Sequence, residues 1–205
     1  QKAYEQRPEE VRRWTQETYP KIKAKAVLED ADILWGDETG LRSDDVRGRS
    51  YSPRGSTPVI RVNQNRDGCS VISTVTNKGQ MRWMVFKGAI NARILINFLR
   101  RLIKNAKRKI FLILDNLRVH HSKPVQEWVE EHDQQIELFF LPSYSPELNP
   151  VEIANADLKH AVTTCAPARK KGKLHKVAST HLRSLQQDPV RIASFFQKDT
   201  VRYAA

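Results

Sequence analysis

The sequence predicts an α/β domain: a mixed sheet with helices on its faces. Three observations predict it. Between residues 31 and 86 short apolar runs alternate with turns, as in an antiparallel meander. From residue 91 onward helical and strand periods alternate. The run Ile110–Leu114 is apolar at every position, as a strand covered on both faces requires. A meander followed by alternating helix and strand builds a mixed sheet with helices packed against it.

Each element has its own signal. Residues 1–29 read as helical, with a break at Pro20. The run Ile33-Leu34-Trp35 is a strand that ends at Asp37. Pro58 to Val62 reads as a second strand, Cys69 to Val75 as a third and Met81 to Phe86 as a fourth, with the turn Asn77-Lys78-Gly79 before the last. Over 91–106 the residues Leu95, Phe98, Leu99, Leu102, Ile103 and Ala106 share one helical face, with Arg100, Arg101 and Lys104 off it. Ser122 is a candidate N-cap for a helix through Val125, Trp128 and Val129. Ile136 to Leu141 is another strand. Asn149 opens a helix to about Val162, and two further helices follow Gly172, split near Pro189. Trp35, Trp83 and Trp128 sit in apolar patterns and are assigned to the core.

Composition narrows the function. Of 205 residues, 40% are apolar, enough for a buried core, and no apolar stretch approaches the roughly 20 residues that span a bilayer. No signal peptide is visible. The chain opens on Gln1 rather than Met and reads as a fragment or a processed product. Cys69 and Cys165 form no CxxC pair, which argues against a zinc site and for a reducing, cytoplasmic setting. The net charge of +12 makes a polyanion the first candidate partner. The charge is clustered, in Arg42–Arg66, in 93–109 and in 169–176.

Against this basic background three carboxylates stand at informative places. Asp37 ends the first strand, Asp115 ends the most apolar strand, and Glu152 lies in the first turn of the helix opened by Asn149-Pro150. Sites in open α/β sheets form beyond the carboxyl ends of strands. If the first strand and the Ile110 strand are neighbours, Asp37 and Asp115 meet there, with Glu152 reaching them from a helix. Clustered carboxylates repel unless a cation neutralises them, and oxygen-only ligands suit Mg²⁺ or Mn²⁺. Two such ions serve phosphodiester chemistry. Each acid also has a simpler reading. Asp115-Asn116 fits a turn after a strand, Glu152 fits a capping box with Asn149, and Asp37-Glu38 fits an exposed strand end. His120 and His121 fit polar residues ahead of a helix.

The surrounding words are more specific. Residues 112–123 read LILDNLRVHHSK and residues 141–152 read LPSYSPELNPVE, followed by Leu158-Lys159. Residues 34–40 read LWGDETG and residues 48–58 read GRSYSPRGSTP. From about Trp14 to Lys159 the chain resembles the bacterial insertion-sequence transposases related to the mariner elements. The resemblance implies a ribonuclease-H-like catalytic domain over 31–165, with 1–30 as a helical linker segment and 166–205 as a basic loop and C-terminal helices packing on it. It implies a triad of Asp37, Asp115 and Glu152 holding two divalent ions, Mg²⁺ or Mn²⁺, with Asn116 and His120 at family positions beside the second aspartate. It implies cleavage of double-stranded DNA at element ends, then attack of the freed 3′-hydroxyl on target DNA, typically at TA. A homodimer on DNA and a cytoplasmic, nucleoid-associated setting without a membrane follow from the same resemblance.

Three departures stand out. Asp115 and Glu152 are separated by 36 residues, slightly more than is commonest in mariner relatives. Many relatives carry Trp three residues after the third acid, where this chain has Asn155, a change expected to alter helix packing without touching that acid's carboxylate. No helix-turn-helix reader fits in residues 1–30. Arg47, Arg49 and Arg54, in the loop after the first strand, are candidate phosphate contacts, as is Lys159, seven residues beyond Glu152 on the same helix face. A solvated surface is the simpler reading of each. The rivals to a transposase are an inactive or domesticated DNA-binding module of the same fold and a plain nuclease without strand transfer.

Overall fold

The computed structural model describes residues 4–45, 53–56, 67–104, 106–164 and 172–205. The chain enters as α1 (Pro8–Arg13), a π-helical turn (Trp14–Thr18) and α2 (Tyr19–Leu28). The break expected at Pro20 is instead a widened turn. Proline lacks an N–H, and its ring crowds the carbonyl four residues back. The turn just before it opens to π geometry, with the Tyr19 N–H reaching back to the Trp14 carbonyl, and the chain stays helical.

Among the described residues five strands follow: β1 (Asp32–Arg42), β2 (Gly68–Val75), β3 (Met81–Phe86), β4 (Ile110–Leu114) and β5 (Ile136–Phe140). Their order is β3-β2-β1-β4-β5. β1, β2 and β3 form an antiparallel meander, and β4 and β5 run parallel to β1. The strand expected over Pro58 to Val62 lies outside the described residues. β1 does not end at Asp37 as expected but continues to Arg42. Its parallel pairing with β4 stops at Trp35↔Ile113, while its antiparallel pairing with β2 runs on to Arg42↔Gly68. Asp37 has therefore left one neighbour and kept the other.

Helices cover both faces. One face carries α3 (Ala92–Lys104) and α4 (Lys123–Glu130) over Leu34, Ile72, Leu112 and Leu114. The other carries α2, α5 (Val151–Thr164), α6 (Lys173–Gln186) and α7 (Pro189–Ser194) over Trp35, Val71, Phe111 and Ile113. β4 is buried at all five positions, as its composition requires. α3 buries Leu95, Phe98, Leu99 and Leu102 and leaves Arg100, Arg101 and Lys104 outward. Ser122 stands at the N-cap of α4 but does not cap it. Its hydroxyl donates to the Val119 carbonyl at 2.7 Å, and its own carbonyl accepts the Val125 and Gln126 N–H groups. No helix among the described residues is long and apolar enough to cross a membrane.

The two chain ends close on the second face. Tyr203 Oη accepts from Trp14 Nε1 and donates to the Leu148 carbonyl, both at 2.9 Å. Its ring meets those of Tyr19 and Trp35 edge-on. The loop that leads into α5 is thus held by residues from both ends of the sequence. The β2–β3 turn is held by α7. Gly79 has φ +80°, and a Cβ there would stand 2.2 Å from the Pro189 carbonyl oxygen. Left-handed backbone and backbone contact both forbid a side chain. Gly79→Ala should therefore lower stability by about 2–3 kcal/mol in urea unfolding. A loss under about 0.5 kcal/mol would show that α7 does not press on this turn.

Candidate active site

Strand alternation assigns each acid to a face. Trp35 lies in the core under α5 and Leu34 in the core under α3. Asp37 is two residues after Trp35 and shares its face, while Glu38 takes the opposite one. The parallel register pairs Leu34 with Leu112 and Trp35 with Ile113. Continued by two residues, it sets Asp37 opposite Asp115. The two aspartates expected to be neighbours are so because the strands are in register, although only Asp115 lies past the end of its strand.

Glu152 comes from the first turn of α5, and one asparagine aims that helix. Asn149, 2% exposed, accepts the Val151 N–H at 3.1 Å and donates to the Gly36 carbonyl at 3.0 Å. Gly36 directly precedes Asp37, so the start of α5 is tied to the first acid's own strand. A capping box would need Glu152 to fold back onto the Asn149 N–H. That N–H already donates to the Pro146 carbonyl at 2.9 Å, and Glu152 turns to the cavity instead. Asp37, Asp115 and Glu152 line one cavity of about 370 Å³, closed on one side by residues 141–146. Asn116 lines it too and donates to the Leu141 carbonyl, joining the ends of β4 and β5. On the rim Tyr144 is held at φ 56° with its side chain exposed, an uncommon backbone state for a residue with a Cβ.

The three carboxyl groups are not equivalent. Burial pushes Asp37 up to about 8, reinforced by the charges of Glu152, Glu38 and Asp115. Burial also raises Glu152, opposed by the Lys159 charge and assisted by Asp115. Burial acts on Asp115 the same way, but there it is outweighed by hydrogen bonds and charge from His120, by the Leu117 N–H and by His121, so Asp115 is held low. The Leu117 N–H bond at 3.2 Å is the turn that Asp115-Asn116 suggested. Turn and site coexist in the same residue.

His120 is 1% exposed and bonds Asp115, a residue of the cavity lining. Burial alone would lower its pKa. Hydrogen bonds to Asp115 and Glu38, with the Glu38 charge, reverse that and lift it to about 10. The ring is then an imidazolium donating from both nitrogens: Nε2 to Glu38 Oε1 at 2.9 Å, and Nδ1 to the Asp115 carbonyl at 3.0 Å beside its Oδ1 at 3.1 Å. Glu38, Asp115 and His120 are the group of potential ligand atoms within 4.8 Å of one another among the described residues. Asp115 belongs both to this group and to the cavity lining, so the group adjoins the three acids.

The remaining expected residues are more scattered. Lys159 is near enough to lower Glu152. Arg54 is exposed in the turn 53–56 and does not line the cavity. Arg47 and Arg49 lie outside the described residues. Two contributors escaped the sequence reading. Glu38 follows Asp37 directly, and period-2 alternation signals the opposite face, but nothing marks a histidine 82 positions on as its partner. Asn155 carries no sequence signal of a site role, yet its Nδ2 donates to Asp37 Oδ2 at 2.6 Å.

The family model for DDE superfamily endonucleases matches residues 32–175. Among solved structures, the Mos1 mariner paired-end complex with Mn aligns with TM-score 0.67 and 18% identity over 100% of this chain and 65% of that one. The Mos1 strand transfer complex aligns with TM-score 0.65 and 20% identity over 100% and 64%. The Mos1 mariner transposase catalytic domain alone aligns with TM-score 0.61 and 15% identity over 98% and 97%. The chain thus spans about two thirds of the Mos1 chains in those complexes and nearly all of their catalytic domain. The likeness is one of fold, and it bears out the ribonuclease-H-like mixed sheet. No curated protein matches this sequence.

The raised Asp37 pKa has a thermodynamic sign. A carboxyl whose folded value of about 8 exceeds its ordinary 3.8 binds its proton more tightly when folded. Its contribution to stability is complete below the lower value and is lost progressively as pH rises to the upper one. Asp37→Asn should therefore melt above the parent chain in chelator. The difference should grow from about pH 5 to pH 8, then level off at no less than about 2–4 °C. Circular dichroism melts across that range check it, and a pH-independent difference would contradict the buried-charge account.

Proposed function

The chain belongs to the DDE superfamily of endonucleases, and from that premise we propose that it is the catalytic domain of a mariner-related DNA transposase. The observation that carries the reading is the convergence of Asp37, Asp115 and Glu152 on one cavity in a basic chain. In this reading residues 31–165 carry the chemistry, and 1–30 and 166–205 support it. The Mos1 chains that share the fold were solved as paired-end complexes, one with a left transposon end, and as a strand transfer complex, which supports element-end DNA as a substrate; double-stranded target DNA and a homodimer as the working unit complete the proposal. The resemblance to insertion-sequence transposases carries with it a bacterial, cytoplasmic and nucleoid-associated setting.

The donor set fits hard divalent cations. All three ligands are carboxylates, and Asp37 needs a nearby positive charge to ionise fully at neutral pH. Asp37, Asp115 and Glu152 would hold Mg²⁺ or Mn²⁺, two ions in this proposal, which would supply Lewis-acid activation of the attacking oxygen and stabilisation of the leaving one. The protein's own part is positional. Asp37 and Asp115 are set by strand register, and Glu152 by the Asn149 tether. His120 keeps Asp115 ionised and in one orientation through its bonds to the carbonyl and Oδ1. Asn116 braces the cavity wall against β5. The nucleophile is water in cleavage and the freed DNA 3′-hydroxyl in joining. Arg47, Arg49, Arg54 and Lys159 hold backbone phosphates.

Labelled DNA incubated with the chain and Mn²⁺ or Mg²⁺ should be nicked, and Asp115→Asn should reduce nicking at least about 10³-fold, the order of loss on removing a charge-stabilising group. Joined products identify a transposase, and nicking without joining on true element ends identifies a plain nuclease. Nicking unaffected by the substitution would refute the site, and no activity on true ends would favour the inactive module. Separately, the Arg49→Ala, Arg54→Ala double variant should bind duplex DNA more weakly. Its slope of log K against log salt should be shallower by about 1–2. An unchanged slope would remove these arginines from the phosphate contacts.

A further inference from the structure

Asn155 is 2% exposed on α5, one turn beyond Glu152. Its Nδ2 donates to Asp37 Oδ2 at 2.6 Å. Residues three apart on a helix share a face. Glu152 and Asn155 therefore descend from one helix face onto one carboxylate neighbourhood, the first as an acid and the second as a neutral donor. We propose that Asn155 is a positioning residue that locks the Asp37 carboxylate in one orientation for a divalent cation and couples its placement to that of Glu152.

Three observations carry this beyond packing. First, the bond uses one Asp37 oxygen and so fixes the rotation of the group, leaving Oδ1 as the oxygen free of this contact. Second, Asp37 shares its cavity with the carboxyl groups of Asp115 and Glu152. A neutral amide donor holds that carboxyl group without adding a further charge to the cavity. Third, the other side-chain donors described at the site serve other groups: His120 serves Asp115 and Glu38, Asn149 serves Gly36, and Asn116 serves Leu141, which leaves Asn155 beside the Glu38 backbone N–H as a donor to Asp37. Partners that orient a metal ligand in this way typically change metal affinity 10–100-fold when removed.

The inference rests on the proposed metal centre, and the test separates the two. Mn²⁺ binding to the full chain is measured by calorimetry and by the loss of free Mn²⁺ electron paramagnetic resonance signal. The chains compared are the parent, Asp115→Asn, Asn155→Ala and Asn155→Leu, the last keeping the side-chain volume without the donor. Thermal unfolding in chelator monitors folding. The expected result is binding by the parent that Asp115→Asn abolishes, with Kd raised at least about 10-fold in both Asn155 variants. Nicking should then need correspondingly more Mn²⁺ for half-maximal rate, while the rate at saturating Mn²⁺ stays within about threefold. Kd within twofold of the parent in a folded variant overturns the proposal and leaves the metal centre standing. No Mn²⁺ binding by the parent overturns both.

A second measurement does not depend on Asn155 variants folding. In ¹⁵N spectra of the parent, the Asn155 side-chain NH₂ should be protected from exchange and shifted downfield by its carboxylate partner. It should move upfield in Asp37→Ala, whose smaller side chain leaves it unpaired. An Asn155 amide signal indifferent to Asp37→Ala overturns the pairing.

Discussion

The in-register parallel pairing of β1 with β4 is the constraint on which the rest of the molecule depends. Side chains alternate along a strand, so a slip of one residue in either strand would send one aspartate to the opposite face. Register is protected because both strands are buried on both sides where they pair. Trp35 and Ile113 face one core, and Leu34 and Leu112 face the other. The apolar residues bear the energetic load of the alignment. The carboxylates two residues further on inherit it, although their mutual repulsion opposes it.

That repulsion is divided rather than cancelled. Adjacent carboxylates at 37 and 38 go to opposite faces by strand geometry alone. Glu38 finds the His120 imidazolium, which also bonds Asp115, so two of the four acids share one buried positive charge. Asp37 and Glu152 remain on the other side with raised pKa values and only the Lys159 charge opposing Glu152. The arrangement leaves a deficit of positive charge on the open side of the cavity and none beneath it. Fold stability and site chemistry pull against each other most strongly at Asp37.

Two asparagines on or just before α5 manage this tension with neutral bonds. Asn149 grips the backbone at Gly36, and Asn155 grips the side chain at Asp37. Behind them Tyr203 holds the Leu148 carbonyl and takes a bond from Trp14, so both ends of the chain bear on the loop that starts the helix. The helix carrying the third acid is thereby fixed against the strand carrying the first. The Trp14–Thr18 turn belongs to the same support, since widening it before Pro20 lets Trp14, Tyr19 and Ile22 reach one core.

Much of this was legible in the sequence. Periodicity sufficed for three of the four strands expected in the meander, for the two parallel strands and for α3, because burial on one face or two leaves a period that composition cannot hide. The acids at 37, 115 and 152 were legible as candidates from their places near apolar strands and a helix start, and the neighbouring motifs were legible as a family resemblance. Local signals misled where a second partner competed. Ser122 looked like a cap, but its hydroxyl found Val119. Pro20 looked like a break, but the preceding turn widened. Glu152 looked like half of a capping box, but Pro146 had already taken the Asn149 N–H. The tertiary structure alone decided that β1 runs past Asp37, that Glu38 pairs with His120, and that Asn155 reaches Asp37. Each of these is a contact between residues tens of positions apart. A sequence records the local preferences of each partner but not the register and helix placement that bring them within hydrogen-bonding distance.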